Sequence, residues 1–406
     1  MIEIQNRGDC SGCAACAAAC PRQAIEMNAD QEGFLYPVIN SAKCIDCGIC
    51  DNMCQAENAI HRKREPQAYA CWNKDEAVRM CSSSGGVFYL LAEFVIAHGG
   101  VVFGAAFDDD LMVRHVAVDS MDQVYRLQGS KYVQSVIGRA YTEAKKILDE
   151  GRYVLFTGTP CQIDGVLHYL CRDYELLYTQ DIICHGVPSP KVWKRYLNYQ
   201  EQQYKRPLVR EPLPSFRRKE EGWKRYSISF RRKEEGWKRY SISLSFDKDI
   251  EYRKYHKEDW YMQAFLNNLS LRPSCYECHS KTKIRNSDIT LADFWGIEYM
   301  LPEMFDNKGT SLVFTNSEKG KHLFELLKSR IHWREVDFEE AVSHNTSAFQ
   351  SVARPKKRET FYDRLGTMPF DRLVKRGILP PIYKRVYWKM HHMAGLILRK
   401  GKMIRS

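Results

Sequence analysis

The sequence predicts two architectures in series: a small α+β module gathered by cysteines, then a larger open α/β sheet. Three observations predict them. Eight cysteines within the first 54 residues form two copies of C-x2-C-x2-C-x3-C. From residue 67 onward, short apolar strands alternate with helical stretches, as βαβ units do. The chain also has 406 residues, more than a module of sixty can use.

In the first module the cysteines are Cys10, Cys13, Cys16 and Cys20, followed by Pro21, and then Cys44, Cys47, Cys50 and Cys54. Three thiolates two residues apart can wrap one cube, while the fourth ligand must come from across a pseudo-twofold axis. This is the spacing of bacterial two-cluster ferredoxins, whose fourth cysteine serves the other cluster. Residues 1–60 resemble such a ferredoxin. The resemblance implies a ferredoxin-like fold with two 4Fe-4S clusters. It assigns Cys10, Cys13, Cys16 and Cys54 to one cube, and Cys44, Cys47, Cys50 and Cys20 to the other. Ala24-Ile25 and Ala59-Ile60 follow the two fourth cysteines and are expected to cover the clusters. Gln55 stands where the first half has Pro21, and every ligand position is kept. A zinc site takes four ligands in paired form and fits this repeat poorly. A disulfide framework suits a small secreted domain, but residues 1–7 contain no apolar signal core. The expectation is a reducing, cytoplasmic setting.

An apolar share of 44% with 12% aromatics supports a large core. No run of eighteen apolar residues is present, so no spanning helix is expected. The net charge of +11 is concentrated at the end, where residues 352–406 hold fifteen Lys/Arg and three acids. The rest is near neutral, and no nucleic-acid partner is expected. Within residues 382–404, bulky apolar and basic residues are interleaved. One reading is a basic amphipathic helix lying on an anionic membrane at its inner face. The other is a helix docked on its own domain or on an acidic partner. With no ligand residue beyond Cys278, removal of residues 352–406 is expected to leave cofactors in place.

The predicted organisation is a two-cluster domain at 1–60, a polar linker at 61–66, an α/β domain at 67–350 and a basic helical tail at 352–406. Within the α/β domain, residues 68–72 read as a strand, and Ser82 to Gly86 open a helix to about 98. Strands follow at 100–107 and 153–157, with a helix at 141–150 between them. The turn Gly158-Thr159-Pro160-Cys161 leads into another helix, and residues 176–184 read as a strand ending in a turn. Residues 215–228 (SFRRKEEGWKRYSI) recur unchanged as 229–242. Two copies are too few for a solenoid; the expectation is that the sheet accepts one copy, and the pair carries no function of its own.

Several segments carry a second resemblance: RMCSSSGG at 79–86, GSKYVQS at 129–135, FTGTPCQ at 156–162, DIICHG at 181–186, RPSCYEC at 272–278 and SDITLADFWG at 287–296. Together they resemble the beta subunit of coenzyme F-420 hydrogenases and dehydrogenases over about 67–350. The resemblance implies an open α/β flavin-binding domain, FAD and a further iron–sulfur cluster. Ser82, Ser83, Ser84, Gly85 and Gly86 at a helix N-terminus can cradle a pyrophosphate; the bland alternative is a serine cap with close-packed glycines. Gly129, Ser130 and Lys131 can meet a flavin edge or a phosphate, or Lys131 is simply solvated. Cys161, Cys184, Cys275 and Cys278 converge from three turns and suit a third 4Fe-4S cube, a structural zinc or buried thiols. Cys71, Cys81 and Cys171 have no evident partners. His185 is either a neighbour of that metal or a packed residue, and Phe294 and Trp295 read as core.

No acid–base residue stands out. The sequence therefore reads as an iron–sulfur flavoprotein oxidoreductase. It would pass electrons between a hydride partner (coenzyme F-420, nicotinamide or a small molecule) and a ferredoxin-type carrier. The alternative is an electron-transfer adaptor with clusters but no catalytic flavin.

Overall fold

The structure is a computed structural model and describes residues 2–56, 58, 65–219 and 237–379. The N-terminal module is small and mixed. A hairpin of β1 (Ile25–Ala29) and β2 (Leu35–Ile39) pairs antiparallel, with short helices at Ala15–Ala19 and Ile49–Asn52. Its two halves repeat in backbone as well as in sequence. Gly12 and Asp46 are matched positions with φ of 73° and 51°, and Ala14 and Gly48 are matched with 64° and 70°. Two left-handed residues per half fold the backbone around each cysteine triplet.

The second domain is built on an eight-stranded sheet in the order β13-β3-β12-β11-β7-β6-β4-β5. These strands are β3 (Gln67–Asn73), β4 (Val101–Phe107), β5 (Val113–Val118), β6 (Val154–Thr157), β7 (Leu177–Ile182), β11 (Ile289–Asp293), β12 (Ser311–Thr315) and β13 (Ile331–Val336). The centre, β4-β6-β7-β11, is parallel; β5 at one edge and β12, β3 and β13 at the other are antiparallel. β4 and β6 are almost wholly apolar and buried, as a sheet covered on both faces requires, whereas β7 buries the polar Thr179, Gln180 and Asp181. The helix Pro160–Leu170 returns the chain from β6 to β7, opened by a Thr159/Gln162 capping box with proline at its first position.

A second sheet, β8 (Ser215–Arg218), β9 (Ser241–Phe246) and β10 (Ile250–Tyr255), is antiparallel throughout. It reworks the expectation for the tandem repeat. The sheet uses the start of the first copy and the end of the second, with Ser215 opposite Ser243 and Arg218 opposite Ser241. The described parts of both copies together amount to about one, and residues 220–236 lie outside the described residues.

Residues 352–379 are part of the core of the second domain. Phe361, Leu365, Phe370, Leu373 and Val374 belong to the same buried cluster as Trp193, Tyr196 and Tyr261. Arg358 is buried and forms a two-pronged pair with Glu32 of the N-terminal module, one arm at 2.7 Å. Removing residues from 352 onward would therefore take out part of the core. The segment 382–404, Ala59-Ile60 and most of the linker lie outside the described residues. Among the described residues no helix is long and apolar enough to cross a membrane.

Candidate functional site

The twelve cysteines singled out in the sequence gather as three sets of four. In the first set, burial raises the Cys13 thiol to about 11, with Cys10 and Cys54 contributing as close neighbours. Burial also raises Cys16, helped by Cys13, Cys10 and Cys54. In the second set, Cys20, Cys44, Cys47 and Cys50 line one hollow, walled by Ile25 and Ile39. Each ferredoxin-like half thus lends its fourth cysteine to the other triplet. In the third set, Cys161, Cys184, Cys275 and Cys278 line another hollow. Burial raises Cys184 to about 12 and Cys275 to about 11, and it pushes Cys161 and Cys278 up as well.

Local structure explains the third set. Cys161 is in the first turn after β6 and Cys184 lies just past β7, at the carboxyl ends of adjacent parallel strands, where open α/β sheets place their sites. Cys275 and Cys278 come from the turn around 273–277. Backbone N–H groups point at several sulfurs: Ile2 to Cys50 at 3.4 Å, Ala24 to Cys20 at 3.3 Å, Asp46 to Cys44 at 3.4 Å and Val187 to Cys275 at 3.4 Å. Such bonds tune a cluster's potential.

Among the described residues no group of three His, Cys, Asp or Glu side chains is placed to hold a single metal ion. One zinc with bonds of about 2.3 Å would draw its sulfurs to within about 4 Å of one another. A cube gives each iron its own thiolate and spreads the sulfurs wider. The donor sets, all cysteine and each arranged around a hollow or a common point, fit a cube.

The first and third sets adjoin. Gly165 lies against Cys13, where an added Cβ would be 2.9 Å from Cys13 Cβ. Gln55, next to Cys54, donates from Nε2 to the carbonyl of Cys161 at 3.1 Å and to Ser11 Oγ. The residue that breaks the repeat thus links the two domains. The second set lies outward: Cys47 is exposed, as are Val38, Ile45 and Ile49.

The two segments expected to meet flavin also meet each other. The Ser130 N–H and hydroxyl both reach Ser83 Oγ, at 2.7 and 3.0 Å. Around them sit Lys131, expected from the sequence, and two basic residues that sequence reasoning misses, Lys219 and Arg217. Lys219 donates to the carbonyls of Ser84 and Arg79, and burial brings its amine down to about 7. Lys131 is likewise brought down to about 7 by burial and donates to Gln128 O at 2.8 Å. Arg217 is buried and paired with Asp293, yet its Nε and Nη2 find no partner among the described residues. Its guanidinium lies over the rings of Tyr240 and Trp295. Arg217 and Lys219 thus bring two buried basic side chains close to the Ser83–Ser130 contact. Arg217 and Lys219 belong to the repeated segment, for which the sequence suggests no function of its own.

The loop 82–86 follows the close-packed alternative. Gly85 does not offer its N–H to a ligand: it donates to Ser311 Oγ at 2.9 Å, and a Cβ there would fall 2.5 Å from Cys71 O. Its glycine identity serves close packing of the loop on β3 and β12. Ser84 Oγ bonds Thr310 O and Ser82 Oγ bonds Val78 O. His185 bonds Asn268 Oδ1 at 2.7 Å and meets Phe265 edge-on, a packed residue beside Cys184. Cys71 is buried in the sheet, while Cys81 and Cys171 are exposed. Phe294 is core, whereas Trp295 stacks on Trp237 at 5.1 Å.

Comparison with known proteins now decides the family. Residues 9–58 match the 4Fe-4S dicluster domain. Residues 151–340 match the C-terminal domain of the beta subunit of coenzyme F420 hydrogenase/dehydrogenase. The chain joins a 4Fe-4S dicluster domain to a domain of the F420 hydrogenase/dehydrogenase beta-subunit family. The first match contains all eight N-terminal cysteines, and the second contains Cys161, Cys184, Cys275 and Cys278. Ser82–Gly86 and Gly129–Lys131 lie outside both. Among solved structures, the chain is similar to one in the F420-reducing [NiFe] hydrogenase complex from Methanosarcina barkeri. Identity is 13%, covering 74% of this chain and 92% of that one, with a TM-score of 0.46. No curated protein matches the chain. The dicluster and F420-family domains make this an iron–sulfur electron-transfer protein of oxidoreductase type.

Proposed function

We propose that this chain is an FAD-dependent oxidoreductase that relays electrons through three 4Fe-4S clusters to a protein carrier. The observation that carries the reading is the gathering of twelve cysteines into three four-thiol sets, the third adjoining the first. Cys10, Cys13, Cys16 and Cys54 would hold one cluster, Cys20, Cys44, Cys47 and Cys50 the second, and Cys161, Cys184, Cys275 and Cys278 the third. Flavin, when bound, exchanges a hydride's two electrons for single electrons.

The chain's own residues supply binding and order. Arg217, Lys219 and Lys131 would take the diphosphate charge, with Ser83 and Ser130 holding the loops together. Tyr132, the neighbour of Lys131, stacks on Phe265 at 4.7 Å, and Phe265 meets His185 at 5.1 Å, one residue from Cys184. This packed row joins Lys131 to the third set. The exposed Cys47 edge faces a carrier. The hydride partner is coenzyme F-420, a nicotinamide or a small organic acceptor.

Anaerobic protein should release FAD and carry about twelve iron atoms, four for each cube. About eight irons with one zinc would replace the third cube by a structural zinc. Twelve irons without flavin would make the chain an electron-transfer adaptor.

A further inference from the structure

Arg272 is fully buried at the junction of the two domains. Its Nε donates to Cys10 O at 2.8 Å, its Nη1 to Gln134 Oε1 at 3.1 Å and its Nη2 to Leu35 O at 2.9 Å. The same Nη2 lies 3.6 Å from Cys10 Sγ. The guanidinium stands 4.3 Å from the centre of the Tyr36 ring and also lines the hollow of the third set.

A buried cation requires a counter-charge. Among the described residues no carboxylate pairs with Arg272, and the group it does reach is a cysteine sulfur. The backbone is shaped to admit it. A Cβ at Gly12 would sit 2.7 Å from Arg272 Nη1, and Gly12 has φ of 73°. The matched position in the other half, Asp46, carries a side chain at the same left-handed backbone. Only the first half is hollowed for a guanidinium.

We infer that Arg272 sets the reduction potential of a cluster held by Cys10, Cys13, Cys16 and Cys54, with the thiolates as its counter-charge. The inference rests on the proposed ligand role of those four cysteines. A positive charge and an N–H···S bond favour the state with one more electron, so they raise the potential. The step is a one-electron gain supplied by dithionite through mediators in the test. No bond breaks and no proton moves. Arg272 is a positioning residue here, acting through Cys10.

The experiment is an EPR-monitored redox titration of full-length, anaerobically loaded wild type, Arg272→Lys and Arg272→Gln. The first set's signal is identified by its loss in Cys16→Ser. Arg272→Gln should lower that potential by at least a tenfold change in the one-electron equilibrium, about 59 mV. Arg272→Lys should keep most of the wild-type value, and the second set should be unmoved in both. An unchanged first-set potential in an iron-replete Gln variant overturns the inference. Equal shifts, or equal iron loss, in the Lys and Gln variants also overturn it, because the role is then structural. The wild-type iron count reads occupancy of the third set separately.

Discussion

His115 shows how much one buried ring can hold in place. Its Nε2 lies 2.9 Å from Thr157 O and its Nδ1 3.0 Å from Ser135 Oγ, and Ser135 also receives Gln162 Nε2 at 2.9 Å. Gln162 caps the helix that carries Cys161. Burial brings His115 down to about 4, against about 6.5 when unfolded. Between those values the unfolded chain binds more protons, so stability falls as pH drops from about 6.5 to about 4. The full effect is about 3 kcal/mol. Denaturant unfolding across this range should show a steeper acid loss in wild type than in His115→Gln; parallel curves would refute the assignment. Cys20→Ser tests the crossed ligands. It should remove iron from the set of Cys44, Cys47 and Cys50 and spare the other triplet, read as which EPR signal is lost. Loss confined to the Cys10 triplet would reverse the ligand assignment.

At the scale of elements, the strands and helices near the third set are legible in the sequence because their signals are local. Short continuous apolar runs mark β4 and β6, and Thr159-Pro160 announces the helix behind Cys161. The crossed pairing of the cysteines is legible through the repeat. What cannot be read is long-range. Arg217, Lys219 and Arg272 are ordinary surface residues by type, and only the folded chain brings them to Ser84 or Cys10. Gln55 is visible as a departure from Pro21, but its partner Cys161 is 106 positions away. The repeat misleads for a related reason, since a sequence cannot say which halves of two identical copies will pair. Excising one fourteen-residue unit (222–235) should leave Lys219 and Trp237 joined as in a single copy. Stability should change by less than about 1 kcal/mol, and iron content should hold. A large drop in melting temperature would show that the second copy is structural.

For the whole molecule, polar contacts join the two domains alongside the apolar packing of Ala15 against Ile163 and Val166. Glu32 meets Arg358, Ser189 Oγ donates to Glu32 O, and Lys191 Nζ donates to Gln31 O at 2.7 Å. Arg358→Ala leaves the half-buried Glu32 without its partner, and losing hydrogen bonds to a charged group costs about 1.5–3 kcal/mol. The melting temperature should fall and the iron–sulfur absorbance should bleach earlier on warming. A stop after Leu379 should spare both, whereas a stop after Val352 should not, since it deletes Phe361, Phe370 and Val374 from the core. Equal behaviour of the two truncations would contradict the packing described for residues 352–379.

The tandem copies have a consequence for genetics. Arg217 and Lys219 come from the first copy and Trp237 from the second, yet Arg231 and Lys233 are identical residues fourteen positions on. Excision of either copy yields the same chain, with one Arg-Arg-Lys run ahead of one Gly-Trp. On the proposed role of Arg217 in holding a diphosphate, the second copy is a spare in sequence, and Arg217→Met alone should release less flavin than the double change. Arg217→Met with Arg231→Met, or Arg217→Met in the single-copy chain, should release it. Knock-out screens that change one position at a time would pass over this site, and the two copies are free to diverge until one has lost the residues the other retains.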